Sequence, residues 1–495
     1  MTTILICNVG NSDIQIAPDR LPDTLQSYAR DKQPIPERLR AQELLDHYSD
    51  YLAQIDLALI RKAIRHVEDQ TETLPDQVIL IASDQPAPPQ SSARFYNMDT
   101  IITAEVIKQV LVDRYHLPEA SVAIWRIIDA ESQHNPADYD GVMRSMEHQI
   151  AELRAQAPDA RCYLEVTGGT PAMTTSLLIA GTKVLGKQAI PIYITQNSEM
   201  AYSLNTGRKL LQHTIQGIIL SDLAIYSYGS AGKTYEQHRD LFRDYQKESV
   251  QQLTIALLRY AHQRLNLDFQ SCRRALSGMD GADGGRYRTQ ISQLYQEVTQ
   301  VSAPWLLREV YYGAKIKYER GEYADFTGRI FRFHEGCLRY LVEQWGAQFV
   351  DEQGKEFRSD WVQSEPVLLK KLTDKSGQPR LDVNRVTLST TASFLAKQRG
   401  DPTAQEVCKR LTRIDALANL RNRTQIAHGY TGLSRQVLAD YFALKQNEID
   451  AGKHAPAEEA DKIVIMLGEI YTHAMGNALV SNPFDKINNL LRQML

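Results

Sequence analysis

The sequence predicts an N-terminal α/β domain with an open, mostly parallel sheet, followed by an all-α remainder. Two observations lead to this prediction. Across roughly the first 210 residues, short apolar segments alternate with polar or amphipathic stretches, which is typical of parallel strands joined by helices. From about Tyr235 the pattern changes to long amphipathic helices, and no strand signal of comparable strength returns.

Length and composition limit the class of protein. The chain has 495 residues, which is long enough for two or three domains, and its 43% hydrophobic and 23% charged residues are typical of a globular protein. With a net charge of -4 the chain as a whole is not basic, so a nucleic acid would have to bind a local basic patch. We expect a cytoplasmic protein without a signal peptide, membrane span, metal or resident cofactor. Scattered cysteines without metal-ligand spacing predict reduced, buried thiols at Cys7, Cys162, Cys272, Cys337 and Cys408.

Five apolar segments predict the strands of the sheet. They are residues 3 to 9, 77 to 82, 122 to 128, 162 to 166 and 189 to 195. Helices are expected between them, within residues 37 to 68 and 137 to 156, and in a helix capped by Asp99 and Thr100. Residues 200 to 213 predict a hairpin or an edge strand that turns at residues 205 to 207.

The second half of the chain has helical periodicity. Residues 278 to 285 predict a flexible Gly/Asp-rich loop. Helices are predicted over residues 247 to 265, 288 to 301, 404 to 422 and 458 to 478. An apolar stripe of one further helix consists of Tyr323, Phe326, Ile330, Phe333 and Leu338. His334 and Glu335 lie on that helix, but adjacent helical residues point about 100° apart, so we expect packing roles and not an acid-base pair.

Polar loops follow three of the predicted strands, at residues 8 to 13, 83 to 85 and 167 to 170. Ligands of open α/β sheets bind where such loops meet. In the third loop two glycines precede a helix with Pro171 near its first turn, which predicts a phosphate cradle of free N–H groups. The alternative is a tight turn with a threonine cap. Gly232-Lys233-Thr234 is not a P-loop, because Ser227 stands where a glycine is required.

Residues 420 to 430 bring cationic side chains close to a histidine. At about 3.6 residues per helical turn, His428 returns to within roughly 20° of Arg421, whereas it lies about 140° from Arg423. Gly429 predicts a helix stop at or just after His428. A histidine can transfer protons near neutral pH and a guanidinium can hold a phosphate, so this grouping suits metal-free RNA cleavage. The alternative is a helix-end histidine with two solvated arginines.

The N-terminal motifs resemble those of CARF domains, Rossmann-like sensors that bind cyclic oligoadenylates in the type III CRISPR response. The most specific match is the Thr-Gly-Gly-Thr-Pro turn at residues 167 to 171. The other matches are the loop after the first strand and the Asp84-Gln85 loop with the later Asp99-Thr100. The resemblance implies activator contacts at Gly10, Asn11, Ser12, Asp13, Thr167, Gly168, Gly169 and Thr170, and weaker ones at Gln85 and Asp99. A dinucleotide site is not expected, because no G-x-G-x-x-G follows the first strand.

The segment from Arg421 to His428 resembles the Arg-x(4 to 6)-His signature of HEPN ribonucleases. A polar residue usually follows the arginine in that family, which favours Arg421 with Asn422, but Arg423 also satisfies the spacing. The resemblance implies that Arg421 or Arg423, Asn422 and His428 form the catalytic site.

The order of the two motifs is that of the CRISPR-associated CARF-HEPN ribonucleases, which act in antiviral defence. That family implies a homodimer, a cyclic oligoadenylate as allosteric activator and cleavage of single-stranded RNA to 2',3'-cyclic phosphate and 5'-hydroxyl ends, with cleavage of the activator also possible. The domains would be residues 1 to 220 (sensor), 221 to 300 (helical connector) and 301 to 495 (HEPN ribonuclease). Two alternatives are a non-catalytic cyclic-nucleotide-responsive regulator and a metabolic nucleotide-binding enzyme.

Overall fold

The chain forms two compact units, Met1–Thr214 and Ile215–Leu495, which we call the N-terminal unit and the helical unit. The computed structural model describes residues 2–17, 20–21, 24–25, 35–88, 90, 93–128, 131, 134–195, 198–243, 245–277, 279, 282–351, 354–424, 429–430 and 432–495.

The N-terminal unit is built on a six-stranded sheet of order β5-β4-β1-β6-β7-β8. Its strands are parallel except β8, which pairs antiparallel with β7. A separate pair, β2 and β3, is antiparallel. The strand bounds are β1 Thr3–Asn8, β2 Ile14–Gln15, β3 Asp56–Leu57, β4 Gln77–Ala82, β5 Val122–Arg126, β6 Arg161–Glu165, β7 Ala189–Ile194 and β8 Ala201–Ser203.

Helices cover both faces of this sheet. Alternate residues of β1 enter two different cores, Leu5 with Cys7 on one face and Ile4 with Ile6 on the other. A strand buried on both faces reads as a continuous apolar run, which is why β1 shows no alternation in sequence. The helices are α1 Glu37–Asp46, α2 Tyr48–Tyr51, α3 Ile60–Thr71, α4 Ala93–Asn97, α5 Ile101–Tyr115, α6 Tyr139–Gln156, α7 Pro171–Leu185 and α8 Thr206–Ala224.

The predicted fold class, a Rossmann-like α/β domain followed by helices, is confirmed. Two local predictions for the N-terminal unit were wrong. The edge strand predicted within residues 200 to 213 is present as β8, but the turn expected at residues 205 to 207 leads to no second strand, because α8 begins at Thr206. The apolar residues after the expected turn, Ile215, Ile219 and Leu223, recur every four positions and are buried, which is a helical pattern. Thr100 precedes α5 but makes no side-chain cap, since its hydroxyl accepts from the amide of Ser83 instead.

The helical unit contains the remaining helices. The predicted apolar stripe lies on α14, Tyr323–Gln344, and is buried at Phe326, Ile330, Phe333 and Leu338. Three isolated bridges, each of one residue pair, add the β-contacts found among its described residues. In chain order the first helices are α9 Tyr228–Gln237, α10 Arg239–Phe242, α11 Glu248–Leu265, α12 Phe269–Leu276 and α13 Arg288–Glu297, followed by the helix Ala303–Glu319, to which we give no number. The later helices are α14 Tyr323–Gln344, α15 Ser359–Ser364, α16 Pro366–Leu372, α17 Arg385–Arg399, α18 Pro402–Leu420, α19 Arg435–Ala443, α20 Gln446–Asp450, α21 Asp461–Met475 and α22 Pro483–Met494.

His334 packs inside the helical unit, as predicted. Its side chain is buried, and Nε2 donates a hydrogen bond to the carbonyl oxygen of Leu411 at 3.0 Å. Burial, reinforced by the nearby Arg385 charge, lowers the pKa of His334 to about 4. Glu335 instead pairs with Arg332. An acid-base role for the two residues is therefore not supported.

All five cysteines are free and buried, which confirms their predicted state. No helix among the described residues is long and apolar enough to cross a membrane.

Candidate functional sites

A cavity of about 380 Å³ lies at the carboxyl ends of β1, β4 and β6. This is the edge of an open α/β sheet where ligands bind, and the volume falls within the usual range for small-molecule sites. Two loops that are far apart in sequence meet there. The predicted activator contacts that line the cavity are Gly10, Asn11, Ser12, Asp99, Gly169 and Thr170.

Two glycines allow these loops to touch. A Cβ atom on Gly10 would stand 2.7 Å from the backbone nitrogen of Gly169, and one on Gly168 would stand 2.6 Å from the carbonyl oxygen of Asn8. Backbone atoms cannot move away from such contacts without a large cost in free energy, so only glycine fits at positions 10 and 168. From the sequence, the two glycines of the third loop, Gly168 and Gly169, were expected to let a ligand approach the backbone. Gly169 does line the cavity, but Gly168, like Gly10, instead allows the first and third loops to touch.

The other predicted activator contacts do not line the cavity. Thr167 accepts a hydrogen bond from the amide of Ile194 at 2.8 Å. The side chain of Gln85 donates to the carbonyl oxygen of His134 at 3.2 Å. Asp13 accepts from the amide of Gly10 at 2.6 Å beneath the loop. Together with Gly168, these residues support the loops whose outer positions form the cavity wall.

The third loop also departs from a simple phosphate cradle. The amides of Thr167 and Gly168 donate to the carboxylate of Glu165, at 2.7 Å and 3.2 Å, so they do not face a ligand. Thr170 caps α7 by accepting from the amide of Met173, which is the alternative considered from the sequence. The turn is therefore a capped, internally bonded loop that presents Gly169 and Thr170 to the cavity.

Two carboxyl groups are buried under this site. Burial, together with the neighbouring Glu165 charge, raises the pKa of Asp13 to about 8. Burial also raises the pKa of Glu165, against the opposing effect of hydrogen bonds from Thr167 and Gly168. A carboxyl group with a raised pKa is held in its neutral form, so we expect Asp13 to be largely protonated near neutral pH.

Asp13→Asn tests this protonation state. A group whose folded pKa lies above its unfolded value contributes stability that is full below about pH 4 and is lost as pH rises through about 8. Asparagine cannot ionise, so Asp13→Asn should gain stability relative to wild type as pH rises, by at least about 1.4 kcal/mol at pH 9, the free energy of one pKa unit. Thermal unfolding at pH 5 and pH 9 measures this gain.

The control for that measurement is Asp159→Asn. Asp159 is exposed in the turn between α6 and β6. Its substitution should leave the difference in stability between the two pH values as it is in wild type. An Asp13→Asn effect that is likewise independent of pH would contradict a neutral Asp13.

Sequence reasoning missed part of the cavity wall. Phe95 and Met98 line it and are 49% and 44% exposed, although both are large and apolar. Asn135, which lies in the segment that follows β5, also lines the cavity. The available signal was an aromatic residue and a methionine placed just before Asp99 in an otherwise polar loop. An apolar surface of this kind next to polar groups is common in ligand sites.

The second candidate site, around Arg421, differs from the helical arrangement expected. α18 ends at Leu420, Arg421–Arg423 form a 3₁₀ turn, and Thr424 is extended with ψ of 166°. The angular argument that placed Arg421 and His428 on one helix face is therefore wrong, because the helix ends before His428. The hydroxyl and amide of Thr424 both donate to the carbonyl oxygen of Arg421, which stops the helix there. His428 and the side chain of Arg423 lie outside the described residues.

Arg421 is held by an aromatic ring. Its guanidinium carbon lies 4.5 Å from the ring centroid of Phe331 on α14. Stacking uses the face of the guanidinium, whereas its N–H groups lie in the plane and can donate to a phosphate. Asn422 is exposed beside it. Thr424 and Tyr430 line a cavity of about 490 Å³ together with residues 321 to 325.

In the part of the chain that the structure describes, no cluster of three or more His, Cys, Asp or Glu side chains could hold a metal ion.

The architecture is that of a two-unit protein with a Rossmann-like sheet domain followed by a helix-rich region. A solved structure with this fold is "Enterococcus italicus Csm6 bound to cyclic hexa-2'-fluoro-hexa-dAMP", which matches with a TM-score of 0.59 and 12% identity over 100% of both chains. At this identity the likeness is one of fold. No protein-family model matches the sequence, and no curated protein matches it either.

Proposed function

We propose that this protein is a ribonuclease activated by a cyclic oligoadenylate, with the activator bound in the cavity of the N-terminal unit. The observation that carries the proposal is the meeting of Gly10 to Ser12 with Gly169 and Thr170 around one cavity. These residues belong to two sequence motifs that lie some 160 positions apart. The fold likeness to a protein bound to a cyclic oligonucleotide supports the same assignment.

The proposed catalytic group is His428 with Arg421, or with Arg423 in its place. The ribose 2'-hydroxyl attacks the adjacent phosphorus, the bond from phosphorus to the 5'-oxygen breaks, and the products carry a 2',3'-cyclic phosphate and a 5'-hydroxyl. His428 would transfer a proton, and the arginine would stabilise the charge on the phosphate. The stacking of Arg421 on Phe331 supports Arg421 as the arginine that is held in place.

We further propose that the protein acts as a homodimer, in which a ring of like nucleotides lies across two sensors and two Arg/His sets form one active site. Residues 1 to 220 would form the sensor, 221 to 300 a connector and 301 to 495 the HEPN domain. Binding of the ring would bias a two-state dimer towards the active form. A molar mass of twice the chain in light scattering is the expected result.

The functional test is cleavage of a fluorescent single-stranded RNA in EDTA, with and without a panel of cyclic oligoadenylates. Cleavage that requires one ring size and survives EDTA would support sensor, nuclease and metal independence together. Cleavage that is abolished by EDTA and restored by Mg²⁺ would contradict the metal-free mechanism.

A second candidate is a ring-responsive regulator that does not cut RNA. One observation favours it: α18 ends at Leu420, so helical geometry no longer aligns Arg421 with His428. Ring binding without cleavage under any condition of the same assay would support this alternative.

A further inference from the structure

Asp99 lines the activator cavity and has one buried oxygen atom without a hydrogen-bond partner among the residues that the structure describes. The side chain of Asp99 is 0% exposed, and its Oδ2 accepts from Arg38 Nη1 at 2.5 Å and from the amide of Gln85 at 3.1 Å. Its Oδ1 is buried and has no hydrogen bond to any residue that the structure describes, and Asp99 lines the cavity. A buried acceptor without a donor is unfavourable, so a ligand with an N–H group would be complementary to it.

Asp99 is fixed in position on both sides. The next residue, Thr100, exchanges hydrogen bonds with Ser83 at the carboxyl end of β4, with its hydroxyl accepting from the Ser83 amide at 3.1 Å. Arg38 binds Asp99 and also stacks 4.0 Å from the ring centroid of Tyr96 in α4. The carboxylate is therefore preorganised before a ligand arrives.

An apolar surface adjoins this acceptor. Phe95 precedes Tyr96 directly and Met98 follows it by two positions, and both line the cavity with large exposed fractions. The interaction of Tyr96 with Arg38 holds the short helix that carries Phe95. An aromatic ring and a thioether beside a single acceptor fit a flat heteroaromatic base that carries an amino group.

We propose that Asp99 reads the exocyclic amino group of an adenine that packs against Phe95 and Met98. This inference rests on the proposed function and adds the residue that selects the base. Burial raises the pKa of Asp99 to about 6, although Arg38 opposes that effect, so the carboxylate remains mostly ionised at pH 7 and acts as an acceptor.

Asp99→Asn gives a specific test, because two hydrogen-bond donors determine the orientation of the new side-chain amide. Arg38 and the Gln85 amide both need an acceptor, so the amide oxygen should occupy the Oδ2 position. The NH₂ group then occupies the Oδ1 position and faces the base as a donor. It would repel the amino group of adenine and bind the 6-oxo group of hypoxanthine.

The experiment measures the Kd of the oligoadenylate ring that binds wild type best, and of the same ring with hypoxanthine in place of adenine. Wild type should prefer adenine by at least about tenfold, and Asp99→Asn should reverse that preference. Phe95→Ala should weaken both rings by a similar factor, because packing does not depend on the 6-substituent. Thermal melting of each variant checks that it is folded.

The outcomes separate this inference from the proposed function. Equal affinity of wild type for both rings, or an unchanged preference in a folded Asp99→Asn protein, overturns base reading by Asp99 while the activator site stands. Failure of wild type to bind any oligoadenylate ring overturns the activator site itself, and base reading with it. If Asp99→Asn does not fold, the wild-type protein still tests the inference, because equal affinity for the two rings overturns it.

Discussion

Replacing His428 with alanine is expected to lower activator-stimulated RNA cleavage by about 10²- to 10⁴-fold, the usual contribution of a general acid or base. The reason is that neither the 2'-hydroxyl nor the leaving 5'-oxygen is reactive without a proton transfer partner. Binding of the ring should be unchanged, because the proposed activator cavity is built from residues of the N-terminal unit. Single-turnover cleavage and ring affinity, measured on the same protein, separate these two effects.

A matched histidine variant controls for non-specific loss. His473 is exposed on α21, where its Nδ1 donates to the carbonyl oxygen of Glu469 at 2.6 Å. His473→Ala should cleave RNA at the wild-type rate. Cleavage at the wild-type rate by His428→Ala would refute the catalytic assignment of His428 and place the proton transfer on another group.

The same assay distinguishes the two arginines. Arg421→Ala should lower the rate by about 10²-fold or more if this guanidinium stabilises the reacting phosphate. Arg421→Lys should restore little, because an ammonium keeps the charge but loses the planar stacking on Phe331. A large loss in Arg423→Ala, with a small one in Arg421→Ala, would assign the role to Arg423.

Gly10→Ala is expected to weaken ring binding by at least about tenfold and to lower the melting temperature of the protein. The new Cβ would stand 2.7 Å from the backbone nitrogen of Gly169. Relieving that clash must separate the two loops that line the cavity, and overpacking of this kind costs about 1–3 kcal/mol. Isothermal titration with the ring and thermal melting measure the two effects.

Gly217→Ala is the matched control for that substitution. A Cβ at Gly217 meets no heavy atom within 4 Å, and the residue lies within α8. Alanine is favoured over glycine in a helix by about 1 kcal/mol, so this variant should be as stable as wild type or more so, with unchanged ring affinity. Wild-type ring affinity in Gly10→Ala would show that the loop contact does not shape the binding site.

Local sequence was sufficient to predict the alternation of strands and helices. The apolar run of β1 and the helical stripe of α14 are each several residues long, and their burial follows directly from hydrophobic periodicity. The positions of Gly10 and Gly169 at the same sheet edge could also be predicted, because the carboxyl ends of parallel strands meet there.

The sequence by itself determined the fold class, the location of the polar loops and the candidate Arg/His segment, because each depends on neighbouring residues or on strand direction. Only the tertiary structure decided how those residues are used. In the folded protein the amides of Thr167 and Gly168 donate to Glu165, and α18 ends at Leu420. The tertiary structure also left Asp99 Oδ1 without a partner among the described residues. The carboxylate of Asp99 is fixed by Arg38, which lies 61 positions away in the sequence. The hydrogen bonds at Glu165 and Thr424 are short-range, but they compete with other local arrangements, and the burial of these two residues in the fold favours them.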